Sequence, residues 1–315
     1  MKIAFFSSHS YDIDNMTKIA KEDGVWDQHE LTSVEYPLWL FYVPRLDEAT
    51  VKLAEGYEGV CIFVNDSANE AVLRALHAGG TRTVFLRCAG FDMIDLPVAK
   101  ELGMPVTRVP AYSPYAVAEH AAALLLTLNR KIHRSYNRTR EQNFRLAGLL
   151  GFDINGKTVG IIGTGKIGAL FARICSGFGC KILAYDVVQS PEALSYGVTY
   201  TTLDDIWAQA DIISLHCPLF PSTKHTINED SISKMKEGVT IINTSRGGLI
   251  DTNALVKGLK SGKVGAVGLD VFEGEGDYFY SDRSGAVIAD DTLARLFTFP
   301  NAYAAGEELK NEVKA

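Results

Sequence analysis

The chain has 315 residues, 47% hydrophobic and 22% charged, with 31 basic side chains against 38 acidic ones and a net charge of −7. At about 150 residues per domain, that length predicts two domains, each burying its own core. So acidic a composition argues against a nucleic-acid partner, which needs a basic face to neutralise phosphates, and the longest apolar run, around Ala121 to Leu128, is too short to span a membrane.

The N-terminus, Met1-Lys2-Ile3-Ala4-Phe5-Phe6, is too short and too soon polar for a secretory signal; it predicts a first strand at Lys2–Phe6. Val60–Val64 and Thr83–Arg87 are further β-branched or aromatic runs, bounded by turn residues. Between them Glu70–His77 carries Ala71, Leu73, Ala75 and Leu76 and predicts a helix lying on a sheet. Ser113-Pro114 then opens a long helix from Tyr115 to about Phe144, rich in Ala and Leu at first and basic over Arg130–Arg140. That basic half is either a surface for an anionic ligand or a solvated or subunit-facing helix end.

A second series begins at Gly156 with strand Lys157–Ile162, helix Lys166–Phe178 and strand Lys181–Tyr185. Strands at Ile212–Leu215, Thr240–Asn243 and Val264–Leu269 follow, with helices at Thr202–Gln209, Asp230–Lys234 and Asn253–Ser261. Alternation at this spacing predicts an α/β protein with parallel sheets covered by helices. The domain boundary is expected near Ser113, with a ligand in the cleft between the two parts. Cys175 and Cys180 are the closest pair among five cysteines, and no histidine stands at metal-ligand spacing from them. Free thiols, no metal and a reducing cytoplasmic setting are the expectation.

The strongest local signal is Gly163-Thr164-Gly165-Lys166-Ile167-Gly168, directly after a predicted strand and opening a helix. There the first glycine permits a tight turn, the second lets a dinucleotide pyrophosphate approach the backbone, and the third permits close helix–strand packing. The helix N-terminus adds unpaired N–H groups and partial positive charge. Asp186 ends the next strand, where a carboxylate accepts from the adenosine ribose hydroxyls and repels a 2′-phosphate, favouring NAD over NADP. Ser245-Arg246-Gly247-Gly248 and Asp270-Val271-Phe272-Glu273-Gly274-Glu275 each follow an apolar strand, at the end where open α/β sheets bind ligands. Arginine's planar fork suits a carboxylate or a polarised carbonyl. An Arg246–carboxylate pair could equally be a structural salt bridge.

Several stretches together resemble the D-2-hydroxyacid dehydrogenase family, and its fermentative D-lactate members most of all. They are Arg87-Cys88-Ala89-Gly90-Phe91-Asp92, Val109-Pro110-Ala111-Tyr112-Ser113-Pro114, Ala118-Glu119-His120, the glycine loop, His216-Cys217-Pro218, Asn243-Thr244-Ser245-Arg246-Gly247 and Gly268-Leu269-Asp270-Val271-Phe272. The likeness runs from Met1 to about Asn301. It implies a flavodoxin-like substrate domain over residues 1–112, to which 301–315 return, and a Rossmann NAD-binding domain over 113–300. It further implies that the backbone at Ala89-Gly90 and the Tyr112 hydroxyl hold the substrate carboxylate, while Arg246 binds and polarises the keto group. Lys166, Ile167, Asp186, Cys217, Pro218, Thr223, Thr244, Ser245, Arg246 and Asp270 fall at the family's cofactor positions, with His216 a neighbour of the nicotinamide. Glu275 matches the carboxylate that pairs with a catalytic histidine.

The chain departs from the family at that histidine. A Thr-Gly-His run is expected just after Pro300-Asn301, but the sequence continues Ala302-Tyr303-Ala304-Ala305-Gly306 into what resembles the family tail. None of His9, His29, His77, His120, His133, His216 and His225 stands at the matching position. Either a segment between Asn301 and Ala302 is missing, or the protein lacks its acid/base. The resemblance implies NADH-dependent reduction of pyruvate to D-lactate in a homodimer or homotetramer, with neither nucleic acid nor membrane as partner. The rivals are a catalytically impaired NADH-binding paralogue and a dehydrogenase for a bulkier 2-keto acid.

Overall fold

The runs of β-branched residues do pair as strands, all of them in parallel. The structure, a computed structural model, describes residues 2–9, 30–33, 44–110 and 113–275, with isolated positions between 12 and 22. The chain divides into two units, Met1–Tyr112 and Ser113–Ala315.

In the first unit the strands are β1 (Lys2–Phe5), β2 (Glu30–Ser33), β3 (Gly59–Ile62), β4 (Thr83–Leu86) and β5 (Val106–Arg108), in the order β2-β1-β3-β4-β5. That is the flavodoxin-like order, with its switch point between β1 and β3. β3 is buried along its whole length. Helix α1 (Glu70–Ala78) starts where Asn69 accepts the Val72 N–H, and it buries Val72, Leu73 and Leu76. Helix α2 (Leu96–Glu101) is capped by Asp95 in the same way.

The second unit holds β6 (Thr158–Ile162), β7 (Lys181–Tyr185), β8 (Thr199–Tyr200), β9 (Ile212–Leu215), β10 (Val239–Asn243) and β11 (Val264–Leu269). Their order, β11-β10-β9-β6-β7-β8, is that of a Rossmann sheet, with the switch point between β6 and β9. β9 and β10 are buried throughout, as central parallel strands must be. No helix among the described residues is long and apolar enough to cross a membrane. All five cysteines are free thiols, and four of them are buried.

The single long helix expected from Tyr115 to about Phe144 is instead two. Helix α3 (Pro114–Arg130) and helix α4 (Ile132–Arg140) are separated by Lys131, which adopts the left-handed conformation at φ 54°. Buried Asn129 supplies the reason. Its carboxamide donates to the Phe152 carbonyl and accepts the Phe152 N–H, both at 2.8 Å, so the chain after α4 is drawn back to the end of α3. The 141–152 segment leaves Phe144, Leu146 and Leu150 between 75% and 90% exposed.

Candidate active site

The three glycines after β6 are required for three different reasons. Gly163 sits at φ +93°, and a Cβ on it would lie 2.6 Å from the Cys217 nitrogen and 2.7 Å from the His216 carbonyl carbon. On Gly168 a Cβ would fall 2.0 Å from the Gly163 oxygen, so helix α5 (Lys166–Gly177) can approach the strand only without one. Gly165, the N-cap of α5, has an ordinary negative φ, and a Cβ on it would meet no protein atom within 4 Å. Neither backbone strain nor packing accounts for a glycine there, which leaves approach by a ligand. Lys166 is exposed and Ile167 half-buried in the first turn of α5.

Asp186, at the end of β7, grips this loop. Its Oδ2 accepts the Thr164 N–H at 2.5 Å and the Thr164 hydroxyl at 3.1 Å, while Oδ1 accepts the Val188 N–H at 3.3 Å. Thr164, which is buried, also meets the Tyr200 hydroxyl at 2.7 Å, and Tyr200 in turn accepts the Ser190 N–H. Tyr200 therefore buttresses Asp186 through Thr164, a role invisible in the sequence because 36 residues separate the two hydroxyls.

Strand β9 supplies His216-Cys217-Pro218 at its carboxyl end. His216 hydrogen-bonds Ser214 at 2.9 Å, its ring lies 5.1 Å from that of Phe171, and burial pulls its pKa from 6.5 to about 4. It is neutral at pH 7. A lowered pKa in the native state means that stabilisation is complete above pH 6.5 and lost as pH falls through 4. Replacing His216 by Asn should flatten the fall in unfolding free energy across that window, by up to about 3 kcal/mol, in denaturant titrations at pH 7 and pH 4. An unchanged slope would count against the buried neutral ring. The Cys217 thiol is pushed up to about 11 by burial and is likewise neutral. Thr223 spends its hydroxyl on the local turn, donating to the Pro218 carbonyl at 2.7 Å and accepting the Phe220 N–H at 2.8 Å.

Strands β10 and β11 bring the remaining groups together. Asn243 ends β10, accepting the Ser245 N–H at 3.0 Å and donating to the Arg246 carbonyl at 2.9 Å, which shapes the turn. Ser245 Oγ donates to the Cys217 carbonyl at 2.6 Å, tying this turn to the glycine-loop side. Arg246 is half-buried, with one guanidinium N–H donated to the Ser245 carbonyl at 2.8 Å. The Asp270 N–H bonds the Asn243 carbonyl at 3.0 Å, so the segment leaving β11 runs beside the Arg246 turn. On it, Glu275 accepts the Phe272 N–H at 3.0 Å. Burial holds the Glu275 carboxyl above the usual carboxylate range, against the opposing pull of the Arg246 charge. His120 on α3 reaches Asp270 at 3.3 Å.

In the first unit, Ala89-Gly90 follow β4. The Arg108 guanidinium donates to the Ala89 carbonyl at 2.7 Å, and the Val109 N–H to the Cys88 carbonyl at 3.2 Å. Tyr112 and the 300–306 stretch lie outside the described residues.

The model of the family described as "D-isomer specific 2-hydroxyacid dehydrogenase, NAD binding domain" matches residues 122–304. The 2-hydroxyacid dehydrogenase A of Aspergillus oryzae is 48% identical over 98% of this chain and 86% of its own length. The chain belongs to the D-2-hydroxyacid dehydrogenase family. Among its relatives, the D-lactate dehydrogenase of Escherichia coli K12 is 47% identical over 98% of this chain and 90% of that protein. The D-lactate dehydrogenase of Aquifex aeolicus, solved with NAD and lactic acid, superimposes with a TM-score of 0.81 at 33% identity, covering 96% of this chain and 86% of that one.

As a family member the protein is an NAD-dependent oxidoreductase. Two observations fit its site to the dinucleotide. Gly165 leaves the mouth of the loop open with no packing reason to do so, and the Thr244 hydroxyl is buried without a hydrogen-bond partner among the described residues. A buried hydroxyl left so is costly unless a ligand completes it. The residues expected at the cofactor positions stand at or just beyond the carboxyl ends of β6, β7, β9, β10 and β11, except Thr223, which lies further along the loop after β9. Sequence reasoning missed His120 as the partner of Asp270, and His225 and Glu273, which pair at 2.7 Å.

Proposed function

We propose that this dehydrogenase reduces pyruvate to D-lactate, and catalyses the reverse, as a cytoplasmic homodimer or homotetramer that reoxidises NADH in fermentation. The observation that carries the reading is that the Arg246 charge acts on the Glu275 carboxyl, on a turn that Ser245 ties to Cys217 beside Gly163, an arrangement that a plain dinucleotide binder does not need. When bound, NADH supplies the hydride that reaches C2 of the keto acid. Arg246 grips the keto oxygen and stabilises the negative charge developing on it. The backbone at Ala89-Gly90 and the Tyr112 hydroxyl hold the substrate carboxylate. Thr244, Ser245, Asp270 and the His216-Cys217-Pro218 turn line the nicotinamide side, with Thr223 holding that turn in shape. Residues 1–112 then form the substrate domain and 113–300 the NAD domain.

Glu275 is the carboxylate that would keep a histidine protonated as proton donor. The sequence lacks the Thr-Gly-His run after Asn301, which favours a second reading: an NADH-binding paralogue with impaired turnover. Purified chain, NADH and a series of 2-keto acids distinguish the two. Pyruvate-dependent oxidation of NADH with D-lactate as product supports the first reading; preference for a 2-keto acid with a branched side chain moves the assignment to a bulkier substrate. NADH binding without oxamate binding or turnover selects the paralogue. The exposed Phe144, Leu146 and Leu150 support self-association, since one copy leaves them in water.

Cofactor choice should follow Asp186. Asp186→Ala removes the ribose acceptor, the repulsion of a 2′-phosphate and the grip on Thr164 together. NADH affinity is expected to fall roughly tenfold, the worth of a hydrogen bond to a charged group, and the preference over NADPH to narrow. Fluorescence titration with both cofactors measures this, and equal affinities in the unaltered protein would sink the assignment.

A further inference from the structure

The segment leaving β11 carries three carboxylates, Asp270, Glu273 and Glu275, and only Glu273 stands outside the reading above. Glu273 is nevertheless more thoroughly held than Glu275. Its Oε2 accepts the Thr252 N–H at 3.1 Å and the Thr252 hydroxyl at 2.9 Å, and its Oε1 meets His225 Nε2 at 2.7 Å. Burial acts to raise its carboxyl, yet His225 and the two Thr252 donors outweigh that and hold it below the usual range. Thr252 opens helix α6 (Thr252–Ser261), and His225 lies in the loop after β9, so one carboxylate joins three segments.

His225 is itself fixed by its main chain. Its N–H donates to the Gly248 carbonyl at 2.9 Å, and its carbonyl accepts from Asn228 at 2.9 Å. It sits at φ +52°, a conformation that a residue with a Cβ adopts only when its surroundings impose it. The same surroundings press the two catalytic segments together. A Cβ on Gly247 would lie 2.2 Å from the Phe272 carbonyl carbon and 2.7 Å from the Glu273 nitrogen, so main chain meets main chain one residue after Arg246.

We propose that Glu273, anchored by His225 and Thr252, is a positioning residue that holds the Arg246 turn and the Glu275 segment in register. The chain runs from His225 through Gly248 to the Arg246 turn on one side, and through Glu273 to Phe272 and Glu275 on the other. Loosening Glu273 frees the pair to slide, and a misplacement of about 1 Å at such a site can cost about 10²-fold. The proposal rests on the reading that Arg246 binds the substrate's oxygen atoms.

Oxamate binding to the NADH-loaded protein tests it without needing turnover. Glu273→Ala should weaken oxamate between about 10- and 100-fold and leave NADH affinity within about twofold. Glu273→Gln and His225→Gln should each weaken it several-fold, and the double variant no further than the worse single, because both cut one tie. Should Glu273→Ala fail to fold, this cycle decides alone. A merely structural pair would lower the unfolding midpoint while leaving oxamate affinity as it was, and that result, or additive losses in the cycle, overturns the proposal. Arg246→Lys runs in parallel. If it leaves oxamate binding intact, the reading beneath has failed; if it weakens oxamate while the Glu273 variants do not, only the positioning role has.

Discussion

Arg246→Lys is expected to lower the affinity of the NADH-loaded protein for oxamate by about 10- to 100-fold, with NADH affinity held within about twofold. The charge survives, so a purely Coulombic role would survive with it. What goes is the planar fork, which presents two parallel N–H donors to a carboxylate or to adjacent oxygens. A hydrogen bond to a charged group contributes about 1.5 to 3 kcal/mol, the stated range of affinity. The turn aims the fork before substrate arrives, since Asn243 holds the Arg246 carbonyl and Arg246 spends one N–H on the Ser245 carbonyl. A lysine ammonium could keep that contact or reach the substrate, but not in the same geometry. Isothermal titration with oxamate reads the loss directly. Unaltered binding would return Arg246 to the role of a structural salt-bridge partner for a carboxylate.

Inserting a Thr-Gly-His loop and its following helix between Asn301 and Ala302 is expected to raise the turnover of pyruvate by about 10² to 10⁴, the usual contribution of a positioned general acid. The insertion point lies outside the described residues, but the groups awaiting a histidine do not. Glu275 is half-buried, and its carboxylate would keep a neighbouring imidazole protonated. Three of the four histidines already in the second unit are poor substitutes. His216 titrates near 4, His225 is committed to Glu273, and His120 leans on Asp270. NADH affinity should be the same with and without the insert, because every group proposed to hold the cofactor precedes it. Steady-state rates of the two chains, each verified by intact mass, provide the comparison. Equal rates would mean that the proton comes from elsewhere.

Strands Lys181–Tyr185, Ile212–Leu215 and Val264–Leu269 stand at the bounds that sequence reading expects. They are short apolar runs between polar turns, and burial on both faces gives them little choice of register. The break at Lys131 was not legible, because nothing in Asn129-Arg130-Lys131-Ile132 marks a left-handed residue; the cause is Asn129 binding Phe152, 23 residues away. Strands β5 and β8, of three and two residues, are too short to announce themselves by periodicity. In the site, the tight turn at Gly163 and the close helix packing at Gly168 were legible from motif context. Tyr200 and Glu273 escaped because their work is done across 36 and 48 residues of chain.

The crowding at Gly163 and Gly168 has a bearing on how such a protein can change over generations. Any side chain at either position strikes main-chain atoms of the loop itself or of His216 and Cys217. No single replacement elsewhere can make room, since backbone cannot be trimmed. Descendants of this chain can therefore lose dinucleotide binding in one step but cannot drift gradually through weaker versions of the turn. The loop at Ala89-Gly90 is different: its shape is set in part by a side chain, Arg108, that can be exchanged. The Ala89-Gly90 loop is thus freer to change shape by single substitutions than the glycine turn is.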